Sequence, residues 1–191
     1  MISSVQMKKI VSFAKKRALQ NDAFHNFSHF EEVSKNASVL AKKEGADVDV
    51  CIVAGLLHDI CKSEKGDHGS AGAKDAKKFL LNLNFPKNFV SAVYDAIYFH
   101  NKEFHDGPIE RRVLWDADKL TIAGPEGFFH RLLPYWIARK GKKQGIETAI
   151  YEYRFFEPLF RTESGRKAVM QYSDIMQNIF ESLTKEVMRD A

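Results

Sequence analysis

Apolar residues recur three or four positions apart in almost every segment of this sequence, which is the spacing of one buried helix face. In residues 47–61 the apolar positions at this spacing are Val50, Val53, Ala54, Leu57 and Cys61. No segment alternates apolar and polar residues with the period of two that a half-buried strand shows. The pattern therefore predicts an all-α fold, a helical bundle of about seven or more helices.

The chain has 191 residues, of which 45% are hydrophobic. A chain of this size and composition can build one substantial core and has little reason to divide. We therefore expect a single domain over residues 1–191.

Residues with special backbone roles predict several helix boundaries. Ser28 with Glu31 has the spacing of a capping box, and Asp47 and Asp67 can cap the helices that follow them. Gly45 is expected to end the helix before Asp47.

The C-terminal third should also be helical. Pro134 is expected to kink or interrupt the helix over 125–139. Residues 140–145 hold two glycines and three lysines and predict a flexible basic loop. Two further helices are expected at about 146–157 and 165–188.

The stretch Leu56–Lys62 places an imidazole and a carboxylate, His58-Asp59, next to an apolar run. Burying these groups is costly unless something positive compensates them, and a metal ion is the natural candidate. A His-Asp pair alone means little, since His105-Asp106 is a second one in a polar turn. The apolar context marks the pair at 58–59 as the candidate site.

Three motifs together resemble the HD superfamily of metal-dependent phosphohydrolases. They are His29, the run Leu57–Lys62 and the run Asp116–Leu120. The resemblance covers about residues 25–122 and implies an HD-type helical bundle, with the C-terminal helices at 125–190 packing on that core. It implies that one ion is bound by His29, His58, Asp59 and Asp118.

Asp118 is preferred to Asp116 because the last ligand of the family directly precedes a basic residue and a leucine. Asp118 precedes Lys119-Leu120. Asp116 would then be a partner of the ligands.

The segment Asp67–Ala73 resembles an element of the branch of this superfamily that holds two metals. That resemblance implies His68 and His100 as ligands of a second ion, with Asp59 bridging the two. No Gly-Tyr-Pro element follows His100, so a cyclic dinucleotide is not the expected substrate.

Imidazoles and carboxylates form a mixed nitrogen and oxygen set, which suits borderline divalent ions. We therefore expect one or two divalent ions, drawn from Mn, Fe, Co, Ni, Zn and Mg. Such an ion lowers the pKa of its bound water and screens phosphate charge, which is the chemistry of hydrolysis.

The expected function is metal-dependent hydrolysis of a nucleotide or another small phosphate ester, as a phosphomonoesterase or phosphodiesterase. Asp59 and Lys62 are the expected catalytic residues, and Lys62, Lys119 and Arg139 are expected to bind the substrate phosphate. The alternative is a di-iron oxygenase of the same superfamily, acting on a small diol or phosphonate. Two bound irons together with oxygen uptake would distinguish the oxygenase from the hydrolase.

The net charge is +4, with 29 basic residues scattered among 25 acidic ones. This distribution favours a small phosphorylated substrate over a nucleic acid. Cys51 and Cys61 lie too far apart on a helix to bridge and are expected to be buried thiols. With no signal peptide and no membrane span, we expect a cytoplasmic protein. The oligomeric state is left open.

Overall fold

The computed structural model describes residues 2–102 and 107–189. Within these ranges all regular structure is helical and there is no strand, which confirms the predicted all-α class. None of the described helices combines the length and apolar character needed to cross a bilayer. The second His-Asp pair, His105-Asp106, lies outside the described residues.

The chain forms two compact units, residues 1–118 and residues 119–191. The expectation that both belong to a single domain stays a prediction. The helices of the first unit are α1 (Ser4–Ala18), α2 (Phe27–Glu44), α3 (Val48–Leu57), α4 (His68–Asn82), α5 (Lys87–Phe99) and α6 (Ile109–Lys119). The last residue of α6, Lys119, is the first residue of the second unit.

Helix α2 begins at an asparagine cap. The Asn26 side chain accepts hydrogen bonds from the N–H groups of Ser28 and His29, at 3.0 and 3.3 Å. The capping box predicted from Ser28 and Glu31 is therefore wrong, because Asn26 already satisfies the first N–H groups of the helix. This cap places His29 in the first turn of α2.

The other predicted boundaries of this region are confirmed. Asp47 caps α3 and accepts from the N–H of Val50 at 3.1 Å, and Asp67 caps α4 and accepts from the N–H of Ser70 at 3.2 Å. Gly45 ends α2 with a φ of 72°. This left-handed conformation is one that glycine adopts without a steric penalty.

Helix α3 is shorter than its apolar spacing predicted. The helix ends at Leu57, and residues 58–63 form consecutive turns instead of a further helical turn. Within them the N–H of Lys62 donates to the carbonyl of Asp59 at 3.1 Å. His58 and Asp59 therefore lie just beyond the helix, and Lys62 is not on the same helix face as His58.

Helices α2 and α3 pack closely because α3 carries a glycine at their crossing. A Cβ atom on Gly55 would lie 2.7 Å from the Cα of Ser34. The Ser34 hydroxyl donates to the carbonyl of Ile52 at 3.1 Å. This backbone-to-backbone approach brings the beginning of α2, with His29, beside the end of α3, with His58.

The helices of the second unit are α7 (Gly124–Gly127), α8 (Leu133–Lys140), α9 (Lys142–Phe156), α10 (Glu163–Met170) and α11 (Ser173–Arg189). A π-helical segment over Phe128–Leu132 joins α7 to α8. The predicted interruption near Pro134 is thus confirmed, since proline has no N–H to donate to the preceding turn. The last predicted helix is divided at residues 171–172.

The predicted basic loop at residues 140–145 is wrong. Gly141 alone, with a φ of 76°, separates α8 from α9. Gly145 lies inside α9, where a Cβ atom would approach the Cα of Ile137 to 2.6 Å. The second glycine therefore serves the close packing of α8 on α9 and does not mark a loop. The second unit has its own buried core of Phe128, Leu132, Ile146, Ala149, Ile150, Tyr153, Met176 and Phe180.

We expect Gly55→Ala to lower the free energy of unfolding by about 1–3 kcal/mol, because its methyl group meets backbone atoms that cannot rotate away. Urea denaturation measures the change. The control is Val39→Ala on the exposed side of α2, which should shift stability by less than about 0.5 kcal/mol. Equal stability of the Gly55→Ala variant and the wild type would contradict the proposed crossing.

Candidate metal centre

Four predicted ligands from three parts of the first unit converge on one point. The Nε2 atoms of His29 and His58 are 3.2 Å apart. Asp118, in the last turn of α6, places Oδ1 3.4 Å from Nε2 of His29 and 3.7 Å from Nε2 of His58. Oδ2 of Asp59 lies 3.4 Å from Nε2 of His58 and 3.9 Å from Nε2 of His29.

The other oxygen of Asp59 faces two further imidazoles. Its Oδ1 atom lies 3.4 Å from Nε2 of His68, at the start of α4, and 3.2 Å from Nε2 of His100, at the end of α5. Five of the six residues predicted as ligands therefore form two groups that share Asp59, and Asp118 lies beside His29 and His58 of the first group. The sequence had implied this sharing only through the resemblance.

These spacings fit metal coordination. Donor atoms about 2.0–2.2 Å from one ion, at the angles of a tetrahedral or octahedral site, are roughly 3–3.6 Å apart. Two groups of the described residues, His29 with His58 and Asp59, and Asp59 with His68 and His100, could each hold an ion.

Backbone carbonyls orient two of the imidazoles. The Nδ1–H of His58 donates to the carbonyl of Gly55 at 2.8 Å, and the Nδ1–H of His100 donates to the carbonyl of Ile97 at 2.6 Å. A carbonyl only accepts, so each ring carries a proton on Nδ1, and in its neutral form it presents the Nε2 lone pair to the cluster. This is the orientation that a metal-binding histidine needs.

The central carboxylate is buried and charged. Asp59 is 2% exposed. Burial alone would raise its pKa, but the charges of His58 and Lys62 and hydrogen bonds from His100 and His58 hold the pKa well below its ordinary value. Burial would likewise lower the pKa of His58, and the adjacent Asp59 charge raises it instead. The two residues form an ion pair.

The remaining imidazoles are neutral near pH 7. Burial lowers the pKa of His29 from 6.5 to about 4. Burial also lowers the pKa of His68 to about 4, and the charge of Lys62 adds to this effect. The pKa of His100 is lowered as well, first by burial. A neutral imidazole has a free lone pair, which is the form that binds a metal.

Lys62 lies at the edge of the cluster. Its Nζ atom is 3.6 Å from Oδ2 of Asp59 and 3.4 Å from Nε2 of His68. The side chain is 29% exposed, so the ammonium group can meet a ligand from solvent. The turn after α3 brings Lys62 to this position; Lys62 and His58 do not lie on one helix face.

Three other candidate residues were predicted, namely Asp116, Lys119 and Arg139. Asp116 is fully buried but is not a member of either metal-binding group. Lys119 and Arg139 belong to the second unit, where the Lys119 ammonium is 5.2 Å from the Phe156 ring and the Arg139 guanidinium lies 3.6 Å over Tyr135. Their role in phosphate binding stays a prediction.

Sequence reasoning missed Asn21, which holds the turn that carries Asp59. Its Nδ2 group donates to the carbonyls of His25 and Asp59, both at 3.0 Å, and its Oδ1 atom accepts from the N–H of Ser63 at 3.2 Å. No periodicity marks a loop residue of this kind. His25, expected to be structural, hydrogen-bonds Asp22 through Nδ1 at 2.8 Å.

A second missed contact joins the helices that carry His68 and His100. The Asp67 carboxylate accepts from Nδ2 of Asn101 and from Nζ of Lys102, both at 3.1 Å. Asp67 directly precedes His68, and Asn101 directly follows His100. The predicted buried thiols are confirmed, since Cys51 and Cys61 are both buried and unbridged.

An all-helical fold with buried imidazoles grouped around one shared carboxylate defines a helical metal-binding protein. The family model named HD domain matches residues 26–123, which is 98 of the 191 residues. The chain belongs to the HD domain family.

Curated relatives include ribonuclease Y of Clostridium perfringens, 31% identical over 143 residues. This match covers 73% of the chain and 26% of the relative. Ribonuclease Y of Enterococcus faecalis is 31% identical over 144 residues, again with 26% of the relative covered. The chain thus spans about a quarter of the length of the curated relatives it matches.

Among solved structures, a predicted HD superfamily hydrolase from an uncultured Thermotogales bacterium is 25% identical, with a TM-score of 0.69. The match covers 94% of this chain and 92% of that one. Bacillus subtilis YpgQ, solved with ADP, is 19% identical over 95% of this chain and 97% of its own, with a TM-score of 0.75. The likeness to YpgQ shows a shared fold and nothing more. None of the relatives described here is named an oxygenase.

In metal-free protein we expect His29 and His68 to titrate with midpoints near pH 4, against about 6.5 in urea. Because both rings are neutral in the folded state, their contribution to stability is complete above about pH 6.5 and is lost as the pH falls towards 4. Histidine nitrogen NMR shifts measure each midpoint in folded and urea-denatured protein. Folded-state midpoints near 6.5 would contradict the packing described.

Proposed function

We propose that this protein is a metal-dependent phosphohydrolase that acts on a nucleotide or another small phosphate ester. The observation that carries the proposal is the buried Asp59 carboxylate, with imidazoles at both of its oxygens and the Lys62 ammonium beside it. Membership of the HD domain family supports it. The relatives named ribonuclease Y act by name on RNA, a phosphodiester, which favours diester over monoester substrates.

We assign the first ion to His29, His58, Asp59 and Asp118, and the second to Asp59, His68 and His100. The neutral imidazoles of His29, His68 and His100 and the charged Asp59 carboxylate are already in their metal-binding protonation states. The raised pKa of His58 means that an ion competes with a proton there. The mixed donor set suits Mn, Fe, Co, Ni or Zn, and Mg remains a candidate. Ions bound there would activate water and neutralise charge on the substrate phosphate.

The protein's own groups have separable roles in this proposal. Asp59 supplies the negative charge that both donor groups share. Lys62 donates a charge-assisted hydrogen bond to a phosphate oxygen, because its ammonium group is the partly exposed cation at the cluster. The carbonyls of Gly55 and Ile97 hold His58 and His100 in the required tautomer.

The proposed activity is tested with protein stripped of metal by chelation and then reloaded with each candidate ion. We expect the reloaded protein to hydrolyse bis-p-nitrophenyl phosphate, and Asp59→Asn to reduce the rate to background, because it removes the charge at the centre of the cluster. Phosphate or phenolate release is measured. Oxygen consumption by iron-loaded protein, with no hydrolysis by any metal form, would overturn the proposal.

His100→Ala should remove one of two bound ions, because His100 contacts only the Oδ1 side of Asp59. Elemental analysis of purified protein should give two ions for the wild type and one for the variant. His130→Ala, a histidine of the second unit, is the control and should keep both. One ion in both the wild type and the variant would reduce the site to one ion, and two ions in both would exclude His100 as a ligand.

Lys62→Met should lower kcat/KM for the diester by about ten- to a hundredfold, the effect of losing one hydrogen bond to a charged group. The metal content should be unchanged. Lys65→Met, an exposed lysine of the same loop, is the matched control and should keep full activity. Equal kinetics for the two variants would exclude Lys62 as a phosphate contact.

A further inference from the structure

Positive charge in the first unit is concentrated on α1 and α4. These two helices carry eight basic residues and one acidic residue, a net charge of +7. Residues 1–118 as a whole carry 17 basic and 16 acidic residues, a net charge of +1. The rest of the unit, with nine basic and 15 acidic residues, is therefore acidic, and the excess of positive charge lies on this pair of helices.

Helices α1 and α4 lie side by side along a seam. Phe13 of α1 stacks on Phe79 of α4, with ring centroids 4.0 Å apart and an interplanar angle of 10°. Arg17 of α1 forms an ion pair with Asp75 of α4. Asp75 is the single acidic residue of the two helices, so the other basic side chains of α1 and α4 have no acidic partner on either helix.

Four exposed lysines border this seam, and we call them the seam lysines: Lys9, Lys16, Lys74 and Lys78. On α1, Lys9 and Lys16 lie one turn on either side of Phe13, at the spacing of one helix side. On α4, Lys74 and Lys78 directly precede the seam residues Asp75 and Phe79. Within residues 2–102 and 107–189, no seam lysine has a carboxylate partner.

The seam leads to the metal centre. Nη2 of Arg17 lies 4.0 Å from Sγ of Cys61, which is in the turn that carries Asp59 and Lys62. His68 lies on the same side of α4 as Asp75, two turns towards its beginning. From His68 to Lys78 the helix rises about 15 Å, room for several nucleotides at about 3.4 Å each along a strand.

We propose that the seam lysines bind the backbone of a single strand of nucleic acid and direct it to the metal centre. This inference rests on the proposed phosphohydrolase function and extends its substrate from a small ester to a strand of nucleic acid. A row of unpaired lysines matches the phosphates of a strand, whose binding releases counterions. The ligand side chains are buried or nearly so, with only His68 and Asp118 at 19% and 15% side-chain exposure. A single strand is proposed because a flexible strand reaches recessed ligands more readily than a rigid duplex does.

The test uses the full chain in EDTA, which prevents cleavage, with a fluorescein-labelled RNA of about 12 nucleotides. Changing all four seam lysines to Gln should weaken binding at least about tenfold at about 0.1 M salt. The slope of log affinity against log salt should also fall, by about 0.7 for each phosphate that the protein no longer neutralises. Changing the same lysines to Arg keeps the charge and should restore binding.

The matched control changes four exposed lysines outside the seam to Gln: Lys8, Lys35, Lys43 and Lys87. It removes the same charge and should bind RNA nearly as well as the wild type. Equally weakened binding in both Gln variants would overturn the proposal, as would equal affinity for duplex RNA or preferential binding to anionic phosphatidylserine vesicles.

Hydrolysis of bis-p-nitrophenyl phosphate separates this proposal from the function on which it rests. The seam variant should keep wild-type turnover of this small diester, because its metal centre is intact. If the protein hydrolyses the small diester but its RNA binding does not depend on the seam lysines, the seam proposal alone is overturned. No turnover by the metal-loaded wild type would overturn the function, and the seam proposal with it.

Discussion

The buried negative charge of Asp59 is the constraint on which the first unit depends. A carboxylate that is 2% exposed would ordinarily take up a proton, yet cationic and N–H groups around it hold its pKa far below the ordinary value. Those groups come from the turn after α3 and the end of α5, and imidazoles from the beginnings of α2 and α4 also lie within 3.9 Å of the carboxylate. The helix packing of this unit therefore serves to bring four chain segments to one carboxylate.

The contacts that fix these segments are polar and lie next to the ligands. Asn26 starts α2 so that His29 falls in its first turn, and Asn21 holds the turn that follows α3. Asp67 both caps α4 and binds the residues after His100. Hydrogen bonds between uncharged groups, such as those of Asn21 and Asn26, contribute about 0.5–1.5 kcal/mol each. Ligand geometry is thus maintained by side chains that would not touch a substrate.

Much of this site could be predicted from the sequence, because an imidazole and a carboxylate beside an apolar run, as at His58-Asp59, are costly to bury without a cation. The all-α class followed from helical spacing. The end of α3 could not be predicted, since Cys61 keeps the apolar spacing after the helix has stopped. In the sequence the lysines are scattered. Only the contact between α1 and α4 brings Lys9 and Lys78 to one surface.

The contact between Gly55 and Ser34 has a consequence for ion selection. Since the backbones of α2 and α3 meet there, the two segments that carry His29 and His58 are held close together. Their Nε2 atoms lie 3.2 Å apart, so two nitrogen donors face the same point. Nitrogen donors favour borderline ions such as zinc and manganese over calcium, which takes oxygen ligands.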